Sequence, residues 1–347
     1  MIAYLTAFLA TAALVYLLSP VARHIGLIDI PCGHKVHEGE VPLVGGIAMF
    51  CGFLFAILAL PISLNELRPL FAGSALLVII GVLDDFHELG PHTRFVAQIS
   101  AASLMTLWGG NTLQDLGGLF GPEPTPLGDW AIPFTIFAVV GVINALNMLD
   151  GMDGLGGGYA LMAFALLAIT TLANGAAVSA MVLFTLSAAV GAFLLFNLRL
   201  GSRVQALVFM GNSGSLFLGF VLAWFVVGLS QGQQPAIDPV TALWILSIPL
   251  LDTVGIMLRR ALHRRSPILP DREHLHHLLR ALGLSVKRTV TVIIGSGALL
   301  AAGGLAAEWA GVPEQVRFGT FLSLFVAYLV AIEITWKQLN GRATPLA

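Results

Sequence analysis

An all-α polytopic membrane protein of about eleven transmembrane helices, with a periplasmic N-terminus and a cytoplasmic C-terminus, is the fold class this sequence predicts. Three observations carry it. Of 347 residues 57% are apolar and 10% charged, with a mean hydropathy of +0.89, whereas a soluble domain carries about 25% charged residues. Apolar stretches of a length that crosses a bilayer as helix, about 17 to 25 residues, recur along the whole chain. If the N-terminus starts outside, all of the 17 Lys and Arg residues except Arg68 and Arg317 fall inside, where basic residues near membrane ends are retained.

The stretches follow in order. The first, 2–22, has no basic residue before it, which a cleaved secretory signal needs, so it is expected to remain as a helix. Next come 43–63 and 70–83, the latter short and ending against Asp84-Asp85, then 93–109. The connection Gly110 to Asp129 is rich in Gly and Pro and is expected to form a small outer hairpin. Stretches 130–149, 157–173, 177–197, 213–230 and 240–262 follow, the last closing on Arg259-Arg260 as a juxtamembrane anchor, and 289–308 and 317–336 complete the set. One integral membrane domain, 1–347, results. Its inner loops, near 23–42, 84–92, 148–156, 198–212 and 263–288, hold all 9 His residues. Cys32 lies in an inner loop and Cys51 in a helix, so no disulfide is expected in a reducing compartment. A net charge of -2 points to no nucleic-acid partner.

Four inner-face segments carry polar groups that lipid would not tolerate without a purpose. The first ends the third helix with Asp84-Asp85-Phe-His87-Glu88. Adjacent carboxylates cannot point the same way from a helix; at a helix end they offer oxygens to a hard cation such as Mg²⁺, or they are simply solvated charges. The second is Asn144-x-x-Asn147-x-x-Asp150-Gly151-Met-Asp153-Gly154. Asn144, Asn147 and Asp150 share one side of a helix, and the glycines let the backbone leave helical geometry close to a ligand.

The third segment, Phe209-Met-Gly211-Asn212-Ser-Gly-Ser215, opens a helix with small residues. Free N–H groups and the helix dipole there suit phosphate oxygens, although small residues also serve helix packing in membranes. The fourth runs from Arg259-Arg260 to Pro270-Asp271-Arg272-Glu273-His274-Leu275-His276-His277. Leu275, Leu278, Leu279 and Leu282 are spaced for a short amphipathic surface helix. A zinc site is conceivable from three His residues, but their tight spacing and the absence of Cys favour hydrogen bonding to a sugar or phosphate.

Together with Val41-Pro-Leu-Val-Gly45-Gly46, these ordered segments resemble the polyprenyl-phosphate N-acetylhexosamine-1-phosphate transferases over about Lys35 to Gly283. The resemblance implies attack of a polyprenyl phosphate oxygen on the β-phosphorus of a UDP-amino sugar, with Mg²⁺ present or Mn²⁺ in its place, releasing UMP at the cytoplasmic face of a bacterial inner membrane. It further implies roles. Asp84 and Asp85 would hold metal or act as base, with Asn147 and Asn212 beside the metal and diphosphate, and Asp150 and Asp153 at the nucleotide. Substrate binding would fall to Asn144, Arg260, Arg272, His274, His276 and His277, with Lys35 and His37 drawing in the lipid phosphate and Asn197 and Arg203 as weaker candidates. The His-x-His-His pattern is similar to that of enzymes moving GlcNAc-1-phosphate from UDP-GlcNAc to undecaprenyl phosphate to start O-antigen, common-antigen or other envelope polysaccharides. GalNAc and rarer amino sugars stay open, since one hydroxyl changes only one or two hydrogen bonds.

One position departs from the family pattern: Asn212 stands where Asp is usual. An amide oxygen can still ligate Mg²⁺ but brings no charge. Two readings of other classes compete. Asp and Asn residues at a membrane edge also mark ion-coupled transporters, but here they cluster at one surface and no internal repeat relates the halves; a non-catalytic scaffold would bind the nucleotide sugar without turnover. No packing motif decides whether the chain forms a homodimer.

Overall fold

The computed structural model describes residues 1–30, 39–201, 203–264 and 273–342. It is helical almost throughout. In order come α1 (Ile2–Ile25), a two-stranded antiparallel sheet of β1 (Ile28–Asp29) and β2 (Val41–Pro42), α2 (Gly45–Leu58), α3 (Arg68–His87), α4 (Pro91–Ser103), α5 (Ala131–Leu149), α6 (Leu155–Ala173) and α7 (Ala177–Asn197). They are followed by α8 (Gly211–Leu229), α9 (Pro239–Ile245), α10 (Ser247–Leu262), α11 (Leu275–Ala281), α12 (Val286–Trp309) and α13 (Glu314–Arg342). Every predicted apolar stretch falls on a helix. The surface helix expected at the His-rich segment is α11, and the 110–129 connection is a small hairpin, with Leu116 and Thr125 bonded through their backbones at 2.9 Å.

Two expectations of length are corrected. The third helix is not short: Pro69 suits its first turn and it runs on to His87, so Asp84 and Asp85 sit in its last turn. By length and composition, 8 helices among the described residues are fit to cross a membrane, or 9 if α9 and α10 form one bent span. The 14-residue α2 rises only about 21 Å, less than the roughly 30 Å hydrocarbon core.

The predicted 240–262 helix is broken. Its halves meet at 81°, and the cause is local. Pro249 has no N–H to give the carbonyl four residues back, which is that of Ile245. Tyr159 Oη on α6 donates to this carbonyl at 2.8 Å, satisfying a group that lipid could not.

At the centre lies α8, of whose apolar window 89% is buried, against 22% for α1 and 11% for α13. A helix apolar all round belongs inside, and α2, α3, α5 and α6 enclose it. Glycines set the spacing. A Cβ on Gly81 of α3 would collide with the Ser213 backbone, one on Gly46 of α2 with Gly214, and one on α8's own Gly219 would come within 2.8 Å of Ile143 Cα on α5. Close backbone approach of this kind is how membrane helices gain packing without a hydrophobic driving force.

Candidate active site

The helices that surround α8 bring their polar ends to its N-terminus. The chain before α2 fixes that N-terminus in place: Phe209 N–H donates to Pro42 O, Gly45 N–H to Phe209 O and Gly46 N–H to Met210 O, each at 3.0 Å. The Val41–Gly46 segment and the Phe209–Ser215 segment are therefore one backbone-bonded unit.

The two adjacent carboxylates diverge, as neighbours on a helix must. Asp84 turns to α4, where its Oδ2 lies 3.5 Å from Arg94 Nη1. Asp85 turns to α8, and its Oδ1 accepts the Asn212 N–H at 2.9 Å. The free N–H groups expected to receive phosphate are thus partly taken by the protein's own anion. Gly211 makes this possible: its φ of +69° is one that L side chains avoid, and a Cβ there would strike the Asp85 carboxylate. Asp84 Oδ2 and Asp85 Oδ2 are buried with no hydrogen-bond partner among the described residues.

From α5, Asn147 Nδ2 donates to Ser215 Oγ at 2.7 Å and to Asn212 Oδ1 at 3.3 Å. Asp150, one residue past the helix, accepts the Gly156 N–H at the start of α6. Burial pushes its carboxyl well above the usual range, the Gly156 N–H opposes this, and the charges of Asp153 and Asp85 add to the rise.

Other predicted residues hold the framework. Asn144, although on the same side of α5, exchanges hydrogen bonds with the buried Gln98 of α4, donating to Oε1 at 2.6 Å. Asp153 Oδ2 accepts Arg199 Nε at 2.7 Å and the Ala206 N–H at 3.0 Å, tying the two loops together. The buried Asn197 accepts the Gly154 N–H at 2.7 Å and donates to Val208 O at 2.9 Å; Gly154 itself has a φ of +84°, needed to turn the chain into α6. Arg203 is exposed and donates to Leu195 O. Arg260 is buried at the end of α10. Cys32, Lys35, His37, Arg265, Pro270, Asp271 and Arg272 lie outside the described residues, and Cys51 is a free thiol.

The His segment joins the same end of the bundle. His274 and His276 are stacked at 5.7 Å with 7° between their planes, and His277 leans on His276 at 4.2 Å. A Cβ on Gly151 would come within 2.7 Å of His276 Cε1, so the ring covers the turn after Asp150. His276 is driven down to about 3, by burial first and the neighbouring His277 next. It is a neutral imidazole at physiological pH. Among the described residues no three His, Cys, Asp or Glu side chains gather as a metal cage.

Residues absent from the sequence-based set are Arg94, Gln98, Arg199, Asp252 and Tyr328. Of these Asp252 had a signal of its own: a lone carboxyl within an apolar stretch marks function by default.

Residues 67–230 match the Glycosyl transferase family 4 pattern. Over 332 residues, 95% of this chain and 90% of the relative, the sequence is 37% identical to the undecaprenyl-phosphate alpha-N-acetylglucosaminyl 1-phosphate transferase of Escherichia coli O157:H7. The chain belongs to glycosyl transferase family 4. Proteins of the same name from Salmonella typhi, 38% identical with the same coverage, and Haemophilus influenzae, 37% identical over 97% of this chain and 95% of the relative, are similar along almost their whole length. The family match takes in Asp84, Asp85, Asn147, Asp150 and Asn212. The His segment lies beyond that match but within the length shared with these relatives.

Proposed function

We propose that the protein transfers N-acetylglucosamine-1-phosphate from UDP-GlcNAc to undecaprenyl phosphate, giving undecaprenyl-diphospho-N-acetylglucosamine and UMP. The observation that carries this is the convergence of Asp85, Asn147, Asp150 and Asn212 at the buried start of α8, in a chain similar end to end to transferases of that name. In the reaction an acceptor phosphate oxygen bonds to the β-phosphorus of the donor while the bond from that phosphorus to the bridging diphosphate oxygen breaks, and UMP leaves with its electrons.

The residues suit a hard divalent cation. The unpaired carboxylate oxygen of Asp85 and the amide oxygens of Asn147 and Asn212 are donors of the kind Mg²⁺ takes when it also keeps several waters, and Asp84, whose Oδ2 lies 3.5 Å from Arg94, would join them by leaving that pair; Mn²⁺ would accept the same oxygens. When bound, the ion would neutralise diphosphate charge and polarise the phosphoryl oxygens. Asp150, whose carboxyl burial pushes well above the usual range, sits at the same turn and would contact the nucleotide or shape its pocket. The His274, His276 and His277 cluster faces the same turn and offers ring N–H groups to the sugar or phosphates. A phosphate monoester, with a second pKa of about 6, reaches the site mostly as a dianion and needs no strong base.

The same reading sets the chain in a bacterial inner membrane with its site to the cytoplasm and the N-terminus outside, because the basic residues then lie inside; eleven crossings would require α2 and α4, with the turns that flank them, to span beside the 9 that length and composition give among the described residues. Initiation of O-antigen, common-antigen or related envelope polysaccharides is the use it would serve.

The test is transfer from radiolabelled UDP-GlcNAc to undecaprenyl phosphate by purified protein in detergent, with and without Mg²⁺, beside UDP-GalNAc and UDP-MurNAc-pentapeptide. Metal-dependent lipid labelling with UMP release from UDP-GlcNAc alone is expected. Labelling from another donor would reassign the sugar, and labelling from none would overturn the reaction.

A further inference from the structure

Helix α11 lies four residues before α12, and the register of the His segment that opens it is held from α10 and α13. Asp252 of α10 is buried, at 2% exposure. Its Oδ2 lies 2.8 Å from His274 Nδ1, and its Oδ1 accepts the Leu275 N–H at 2.8 Å and Tyr328 Oη–H of α13 at 3.0 Å. Two helical turns on and on the same face of α10, Arg259 pairs with Glu273 at 3.0 Å and with Glu333 of α13 at 3.0 Å. Consecutive residues of the His segment are therefore clamped to two residues of one helix.

The hydrogen bonds also select a tautomer. A carboxylate that already accepts two donors at Oδ1 accepts a third at Oδ2, so His274 carries its proton on Nδ1, and its other nitrogen is left for chemistry outside the clamp. The ring so fixed stacks on His276, and His276 covers the turn after Asp150. We propose that Asp252 is a positioning residue, fixing the tautomer and plane of His274 and, through the His274–His276 stack, setting imidazole groups over the Asp150–Gly151 turn where the nucleotide sugar is handled. This rests on the transferase reading above. Carboxylates that orient a working histidine act in this way in other sites, where their loss costs about 10-fold to 100-fold in activity.

Three measurements test it. In protein labelled with ¹⁵N-histidine, the His274 signal, assigned by its loss in His274→Gln, should report an Nδ1–H ring; an Nε2–H ring would overturn the proposal even where no Asp252 variant folds. Asp252→Asn keeps an acceptor oxygen for Leu275 N–H and Tyr328, so its thermal midpoint in detergent should hold while kcat falls about 10-fold to 100-fold. Tyr328→Phe, which leaves the His274 contact in place, should lower kcat less than Asp252→Asn does. In a double-mutant cycle, Asp252→Asn should cost nothing further in a His274→Asn background. Equal losses in both backgrounds would mean that Asp252 acts independently of His274 and would overturn the proposal. A wild-type protein that labels no lipid would defeat the reaction reading, while the tautomer would still decide the link between Asp252 and His274.

Discussion

Asp85 on α3 accepts the backbone N–H of Asn212 at 2.9 Å, so a carboxylate from one helix occupies the N-terminus of another. Asp85→Asn preserves an oxygen acceptor there and should leave the fold intact, while it removes the charge that the proposed cation needs. A kcat loss of about 10²- to 10³-fold, the range for removing one group that stabilises charge at a reacting centre, is expected in the lipid-labelling assay. Wild-type turnover would remove Asp85 from the machinery.

Asn212→Asp places a second carboxylate against Asp85. Like charges at contact destabilise each other, so the thermal midpoint in EDTA should fall below that of the wild type. Added Mg²⁺ should restore more stability in the variant than in the wild type, and half-saturating Mg²⁺ for transfer should drop. A midpoint and metal dependence equal to the wild type would place Asn212 away from the cation.

Gly81→Ala tests the packing that brings α3 to α8. The added methyl meets the Ser213 backbone, which cannot swing away as a side chain can. Overpacking of this kind costs about 1–3 kcal/mol, and here it also shifts the Asp85–Asn212 contact. Lower thermal stability together with lower kcat is expected; a fully active, equally stable variant would show that the helices separate freely.

His276 gives stability a pH dependence. Burial, chiefly, lowers its pKa from the ordinary 6.5 to about 3, so the folded state binds fewer protons than the unfolded one. The contribution is fully present above pH 6.5 and is lost as pH falls towards 3, by up to about 1.4 kcal/mol per pH unit. Thermal midpoints measured from about pH 7.5 to 5 should decline in the wild type and less steeply in His276→Gln. Parallel declines would assign the proton uptake to another group.

Asn197→Ala removes both bonds that hold Gly154 N–H and Val208 O. Each buried group left unpaired costs about 1–3 kcal/mol. The expected result is a clear drop in thermal midpoint, with the KM for UDP-GlcNAc rising as the Asp150–Gly154 turn loosens. If only the KM changed, Asn197 would be touching the substrate itself.

Much of this site was legible in the sequence because its polar residues interrupt apolar helices, where every carboxylate and amide needs a reason. Asp85, Asn147 and Asn212 converge as their positions at helix ends suggested. Asn144, Asp153 and Asn197 stood out by the same signal, yet their side chains bond to Gln98, Arg199 and the Gly154 and Val208 backbones, and polarity alone does not distinguish a ligand from a brace. Asp252 interrupts an apolar run as the others do, but its partners His274 and Tyr328 are remote in sequence, and no local spacing tells what it holds. The break before α10 had a local sign in Pro249, but an unbroken apolar run reads as one helix until the partner of the Ile245 carbonyl is known.

That break has a mechanical consequence. A straight helix answers a thicker or thinner bilayer by tilting as a rod, carrying both ends with it. Here α9 is pinned at one end of the molecule by Glu308 and Arg317, which engage Asp238 and Thr241, and α10 sets off at 81° from a joint whose carbonyl is already satisfied by Tyr159. The break alone does not uncouple the two pieces, because the unbroken α13 holds α9 through Arg317 and α10 through Tyr328 and Glu333. The bent span and α13 thus form one strapped unit, and His274, bonded to Asp252, takes its place from a helix pair rather than from a single rod.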